Sequence, residues 1–284
     1  MKLRWMVVVC LLAVTLPWMP AVGAEIVDFE SWSLIEDPAD PNFSGFASSA
    51  EATLSALGGP INEATDIGFA SINGSSVATS TLGSYFDPSR SFQIAIDYDL
   101  NFGVSPNGFL ALGFGIGEDV AGRNSAGITF VTQNGVPLLR YGGAGRVNDS
   151  DVAAVPIGST PTLEGSLFVE YDASNGDITL GAGAVGANVA SASGTLDNFQ
   201  NGWNDEGLVA SFFIRSDGFL NGQRWNGGTA DAVFSNFRVL SGSATAIPEP
   251  CSCFVLCGLT GIFLTRRGRR AASRDGQFPQ GLLQ

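Results

Sequence analysis

The chain contains no histidine, only one lysine and only four cysteines among its 284 residues. Without histidine, catalytic triads and dyads that use an imidazole base are excluded, and so are histidine-ligated metal sites. The 27 acidic residues outnumber the 14 basic ones, which gives a formal net charge of −13. Because nucleic-acid backbones bind basic surfaces, this balance excludes a nucleic acid as the partner.

The scarce residues also divide the chain into parts. The lysine and the cysteines all lie near the two ends, at Lys2, Cys10, Cys251, Cys253 and Cys257. Residues 25–246 carry 25 acidic residues and 7 arginines, a net charge of −18. A domain without cysteine forms no disulfide, but these 222 residues are enough for a hydrophobic core to hold the fold.

The N-terminus has the three-part plan of a secretory signal peptide. Lys2 and Arg4 precede an apolar stretch at residues 5–16, and Ala24 ends a run of small residues that suits signal peptidase. We expect cleavage after Ala24, which removes residues 1–24. The alternative is an uncleaved anchor helix, although an apolar stretch of this length is short for a membrane span.

The C-terminus combines a Pro-Glu-Pro triplet, a short apolar stretch at residues 251–265 and a cluster of arginines. The residues of this pattern are Pro248, Glu249, Pro250, Arg266, Arg267, Arg269 and Arg270. As a helix the apolar stretch would span about 22 Å at about 1.5 Å per residue, less than the ~30 Å hydrocarbon core of a bilayer. The arginines predict that this end stays on the cytoplasmic side while the middle of the chain is exported.

The order of these three parts resembles the PEP-CTERM sorting signal of exopolysaccharide-producing Gram-negative bacteria. The resemblance covers residues 248–270 and implies that an exosortase, a membrane-embedded transpeptidase, processes the chain near the triplet. It implies a precursor held in the inner membrane by a transmembrane helix, and a product at the cell surface or outside the cell, with exopolysaccharide as a partner. A plain membrane anchor is the alternative. The polar tail at residues 271–284 and the three tail cysteines depart from the family pattern.

The middle of the chain predicts strands separated by turns. Residues 92–100 alternate apolar and polar side chains with a period of two, which is typical of a half-buried strand. Asn134-Gly135 and Asn175-Gly176 each separate two apolar stretches, and such pairs favour the tight turn of a hairpin. Residues 51–57 are predicted as a short helical turn. The pattern predicts an all-β fold, an antiparallel β-sandwich or jelly roll.

The strand order resembles the concanavalin A-like, or LamG-like, jelly rolls. The resemblance rests on residues 28–30 at the start of the domain, residues 169–180 in the middle and residues 234–239 at the end. It implies that the first and last strands lie side by side, that a concave sheet binds glycans and that a structural Ca²⁺ is present. We place the domain at residues 25–241 and a linker at residues 242–247.

Paired carboxylates, which glycoside cleavage requires, are scarce in the sequence. The Glu-x-Asp-x-x-Glu motif of the superfamily's glycoside hydrolases does not occur. Asp97 and Asp99 form the nearest pair, and their alternation with apolar residues predicts a solvated outer strand face rather than a catalytic site. We therefore expect no enzyme, although a carboxylate pair across a concave cleft would favour one.

Oxygen-rich loops are candidates for Ca²⁺, because this hard cation binds carboxylate and carbonyl oxygens. The candidate ligands are Asp149 and Asp151 in one loop, and Glu30, Asp217, Asn221 and Asp231 near the paired terminal strands. The alternative is that these residues form ordinary acidic turns.

Two tryptophans are candidates for glycan contacts. Trp203 and Trp225 both lie in segments rich in glycine and asparagine, where a large ring is expected either to cap the core or to bind a sugar. We predict an exported cell-surface or extracellular-matrix protein whose domain binds carbohydrate. The alternatives are a secreted polysaccharide-active hydrolase and a purely structural matrix component.

Overall fold

A computed structural model of the chain describes residues 28–138, 140–199, 203, 206–217 and 223–247. Within this part the protein is all β, apart from two 3-10 helices at Phe29–Ser31 and Val77–Thr79. No helix among these residues is long and apolar enough to cross a bilayer.

The predicted signal peptide and the predicted sorting signal lie outside the described residues. This applies to the signal cleavage site at Ala24, to Pro248, Glu249 and Pro250, and to the arginine cluster from Arg266 to Arg270. Both the signal peptide and the sorting signal therefore stay predictions.

Fifteen strands form two sheets that pack face to face. Sheet 1 contains β1 (Ser33–Asp37), β4 (Thr65–Ala70), β7 (Phe109–Gly117), β8 (Ser125–Gln133), β9 (Val136–Pro137), β10 (Tyr141–Val147), β11 (Ser150–Ile157) and β15 (Val209–Ser216). Its strand order is β1-β4-β15-β7-β8-β10-β11, and β9 pairs with β8. Every ladder in this sheet is antiparallel.

Sheet 2 forms the other layer of the sandwich. It contains β2 (Phe43–Ala47), β3 (Glu51–Leu57), β6 (Phe92–Phe102), β12 (Glu164–Asp172), β13 (Asp177–Gly183), β14 (Ala192–Leu196) and β16 (Thr229–Ser241). Its strand order is β14-β13-β12-β6-β16-β3-β2, again with antiparallel ladders. A third, two-stranded sheet pairs β5 (Ser84–Phe86) with β17 (Ala244–Ala246).

The core lies between the two sheets and is rich in aromatic rings. Phe212 of β15 stacks on Phe234 of β16, with ring centroids 4.4 Å apart, and this contact joins the sheets directly. Phe29 and Trp32 reach the same ring from the segment before β1, with centroids 5.6 and 5.3 Å away. Such aromatic pairs contribute about 0.5–1.5 kcal/mol each beyond the area that they bury.

The prediction of an all-β antiparallel sandwich is confirmed. Ile94, Ile96 and Leu100 point into the core from β6, as the alternation of residues 92–100 predicts. Asn134-Gly135 connects β8 to β9 with φ angles of 52° and 78°, which are the positive values that a tight hairpin turn needs.

The structure differs from the predicted architecture in three details. Residues 51–57 form the strand β3, not a helical turn, because Ala52, Leu54 and Ala56 alternate into the core. The first and last long strands do not lie side by side, since β1 pairs with β4 in sheet 1 and β16 lies in sheet 2. Residues 242–247 are not a free linker, because they contain β17 and Ile247 donates to the carbonyl of Gly83.

Asp97 is buried, although the sequence pattern places it on a solvated strand face with Asp99. It does point to the outer side of sheet 2, where it accepts hydrogen bonds from the Ser166 hydroxyl, the Asn236 amide, the Arg238 guanidinium and the Gly186 N–H. Only Asp99 is exposed.

A loop at residues 184–191 covers this buried carboxylate. Arg238 donates to the carbonyl of Ala187 at 2.8 Å, and the Ser166 hydroxyl oxygen lies at the same distance from the carbonyl oxygen of Ala184. Burial acts to raise the pKa of Asp97, but these donors outweigh it and the pKa is lowered. The Asp97 network therefore fastens the loop to the outer face of sheet 2.

We predict that Asp97→Asn lowers the free energy of unfolding by about 3 kcal/mol at pH 7, because Arg238 loses its buried partner charge. Since the pKa of Asp97 is lowered in the folded state, this contribution is lost as the pH falls through that pKa. Urea unfolding at several pH values measures both effects. Asp99→Asn is the matched control, two positions along the same strand, and is expected to change stability by less than about 0.5 kcal/mol. Equal losses in the two variants would contradict the prediction.

Candidate functional site

The outer face of sheet 1 carries a groove of about 480 Å³. Strand alternation turns one residue in two toward this face, and most of the residues turned outward are small. The floor of this sheet-1 groove is formed by Gly68, Ala111, Gly115, Gly127, Thr129, Gly142, Ala144 and Ser211. The groove exists because these positions add little side-chain volume to the face.

Phe213 is the one aromatic side chain at the centre of this floor. It pairs in register with Gly113 on β7, and a Cβ added at Gly113 would collide with the Phe213 ring. The ring therefore lies over the glycine and near the methyl group of Thr129, and it stays partly exposed to the groove. A flat, partly exposed ring on a floor of small residues is a platform on which an apolar ligand face can stack.

Charged side chains line both ends of the sheet-1 groove. At one end, Arg215 Nε lies 3.4 Å from Asp66 Oδ1 and 2.8 Å from Asp217 Oδ2. At the other end, Arg146 lies 3.6 Å from Asp149 and 3.1 Å from Asp151. Each guanidinium therefore already has two carboxylate partners from the chain itself.

Asp66 has an unusual protonation equilibrium. Burial raises its pKa to about 6, the Arg215 charge opposes this rise, and the charges of Asp217 and Asp37 add to it. The physical cause is visible at Oδ1, which is shielded from water and accepts no hydrogen bond from the described residues. Asp66 is therefore a carboxyl group that changes charge near neutral pH.

Charged groups from both ends of the groove act on Asp66. The Arg146 charge on β10 lowers the pKa of Asp66 on β4, although β15, β7 and β8 lie between these strands, and it is the weakest of the contributions to that pKa.

Asp66 and Asp217 form a carboxylate pair across the Arg215 side chain. Because both contact the same Nε atom, their nearer oxygens are at most about 6 Å apart. Sequence reasoning named Asp217 only as a metal ligand and did not name Asp66, Phe213 or Arg215. The alternation of residues 210–216 could have identified two of them, since it places Phe213 and Arg215 on the strand face that does not carry the buried Phe212 and Ile214.

The two predicted glycan tryptophans lie in the core. Trp225 is fully buried and its ring stacks near Phe102, with centroids 6.3 Å apart. Trp203 is 8% exposed and meets the Phe199 ring edge-on at 5.3 Å. Neither ring has an open face for a sugar, so the prediction that they contact glycans is wrong. In both cases the large ring in a glycine-rich segment fills the core.

The structure does not assemble the predicted calcium ligands. Arg146 faces Asp149 and Asp151, so a guanidinium occupies the position that a cation would take between them. Asp231 accepts a hydrogen bond from Ser55, and Glu30 is exposed beside the first 3-10 helix. Within the described part of the chain, no three acidic or cysteine side chains converge as a metal site, and Asn221 lies outside that part.

No family model matches the chain, and no curated protein matches it. Solved structures that are similar to this chain include the alginate lyase from Klebsiella pneumoniae, with 10% identity and a TM-score of 0.47 over 76% of this chain and 97% of that one. A legume lectin-like domain from Entamoeba histolytica has 9% identity and a TM-score of 0.47, over 76% and 97%. The Bacteroides ovatus mixed linkage glucan GH16, in complex with product, has 12% identity and a TM-score of 0.46, over 75% and 98%. At these values the alignments assign neither a family nor an activity.

Proposed function

We propose that this is an exported cell-surface or matrix protein whose domain binds carbohydrate in the sheet-1 groove. The observation that carries the proposal is the Phe213 ring, which lies over Gly113 in a groove floored by small residues. A sugar ring presents C–H groups on its faces and hydroxyls around its edge. It therefore needs a flat apolar platform with polar groups beside it.

Polar groups lie on both sides of this platform, which supports the proposal. Arg215 follows Phe213 by two residues, so it projects from the same side of β15, and its partners Asp66 and Asp217 flank it. The hydroxyl of Ser211 lies on the other side of Phe213 along the same strand. Carboxylates accept hydrogen bonds from sugar hydroxyls, and guanidinium groups donate to them.

Export is part of the same proposal. The signal-like residues 1–24 and the PEP-CTERM-like residues 248–270 support a chain that is secreted and then processed by an exosortase. The body of the domain extends to Ile247, whose N–H donates to Gly83, so a cut at the Pro-Glu-Pro triplet would leave every described strand intact.

A hydrolase that cleaves polysaccharide is the second candidate, and the Asp66–Asp217 pair favours it. Asp66, with its pKa raised to about 6, would donate a proton to the leaving glycosidic oxygen. Asp217, held beside Arg215, would act on the anomeric carbon directly or through a water molecule. Overall, water adds across the glycosidic C–O bond, with hydroxide on the anomeric carbon and a proton on the leaving oxygen.

We predict that Phe213→Ala weakens the binding of the best oligosaccharide ligand at least about tenfold, because the stacking platform is lost. Isothermal titration calorimetry against a panel of oligosaccharides measures this change, and Phe213→Tyr is expected to restore most of the affinity. The control is Phe46→Ala on β2, which removes a 72% exposed ring from the other sheet. Equal affinity in wild type and Phe213→Ala would disprove the proposed site.

The hydrolase candidate predicts release of reducing ends from a bound polysaccharide. The rate should fall as the pH rises through about 6, because Asp66 then loses the proton that it donates. Asp66→Asn and Asp217→Asn should each abolish release while a folded variant still binds the ligand. If wild type binds an oligosaccharide tightly and releases no reducing ends at any pH, the domain is a binding protein only.

The export proposal predicts a mature chain that begins after Ala24 and ends close to Ile247. Mass spectrometry of the secreted product, from matched host strains with and without an exosortase, measures both ends. The strain without the enzyme should retain the longer, membrane-associated form. A product that keeps residues 251–270 in the strain with the enzyme would contradict the sorting prediction.

A further inference from the structure

We infer that the sheet-1 groove selects uncharged glycans and discriminates against polysaccharides that carry carboxylate or sulfate groups. This inference rests on the proposed function, because it names the class of carbohydrate that the same site takes. It follows from how the charges of the groove are already paired.

The two arginines of the groove already contact carboxylates of the chain itself. A protein normally recognises an acidic sugar through a guanidinium that offers two parallel N–H donors to the ligand carboxylate. Here Arg215 lies between Asp66 and Asp217, and both carboxylates approach its Nε atom. Their two negative charges offset the positive charge that Arg215 could offer to an acidic ligand.

Arg146 is equally occupied at the other end of the groove. Besides its two aspartate partners, it donates to the carbonyl of Gly122 at 3.3 Å and to the carbonyl of Asp149 at 3.1 Å. Its guanidinium therefore contacts acceptors from three residues in two segments of the chain. A ligand carboxylate would compete with several bonds that the folded protein already makes.

The charge balance of the groove is negative. Its lining includes four carboxylates, at Asp37, Asp66, Asp151 and Asp217, against the two arginines, Arg146 and Arg215. Burial is the main cause of the raised pKa of Asp66, and the charges of Asp217 and Asp37 add to the rise, so a negative charge is disfavoured at this end of the groove. A further negative charge from a ligand would add to the same repulsion.

The remaining lining suits a neutral sugar chain. Phe213 offers an apolar face, and Ser211 and Thr129 offer hydroxyls, none of which requires charge on the ligand. The carboxylates that repel an anion are good acceptors for sugar hydroxyls. The same residues therefore favour one class of glycan and oppose the other.

The first test compares neutral and acidic hexasaccharides on the wild-type protein. Cellohexaose, laminarihexaose and mannohexaose represent the neutral class, and hexamers of galacturonate and guluronate represent the acidic class. At about 0.01 M salt we expect the best neutral hexamer to bind at least about tenfold more tightly than either acidic one, and the gap should narrow at about 1 M salt. Acidic hexamers that bind as tightly as the neutral ones would overturn the inference.

The second test releases Arg215 from its partners. The double variant Asp66→Asn/Asp217→Asn should shift the ratio of the two dissociation constants at least about tenfold toward the acidic hexamers. The matched control is Asp99→Asn/Asp231→Asn, which removes two exposed charges from sheet 2 and should leave the ratio unchanged. An unchanged ratio in the first double variant would overturn the inference. If no hexamer of either class binds wild type, or if Phe213→Ala binds as well as wild type, the proposed function itself fails.

Discussion

The stacking of Phe212 on Phe234 joins the two sheets, and the orientation of β15 depends on it. Neighbouring residues in a strand point to opposite faces, so a buried Phe212 places Phe213 on the outer face of sheet 1. A shift of one residue would bury Arg215 and expose Ile214, which the core does not allow. The Phe212–Phe234 contact thus also determines which residues of β15 face the groove.

The groove also exists because most outward-facing residues of the neighbouring strands are small. β7 and β8 place mostly glycine, alanine, serine and threonine on the same outer face, and Phe109 and Val131 are the larger residues of these strands that line the groove. The pKa of Asp66 responds to charges from β1, β10 and β15 as well as to its own burial. Its protonation is therefore set by neighbours that are far apart in the sequence.

The fold could be predicted from the sequence where the alternation was strong. Residues 92–100 and the Asn134-Gly135 turn carry their structure in the local pattern, because a period of two and a positive φ are local requirements. β3 was harder, since its small residues fit a helix and a strand equally well. The burial of Trp225 could not be predicted from the local sequence. Whether a ring in a glycine-rich segment fills the core or faces solvent depends on residues that are far away in the sequence. The Asp66 site was missed for the same reason, as its partners come from separate strands.

The pairing of β17 with β5 has a mechanical consequence for a chain tethered through its C-terminus. Tension applied at residue 247 would first load the short ladder at Ala244–Ala246, which has only three residue pairs. The force would then reach β16, which is bonded along both edges to β6 and β3 in the middle of sheet 2. Under load β17 can thus separate from β5 first, while β16, which carries Phe234, keeps its hydrogen bonds to the two neighbouring strands.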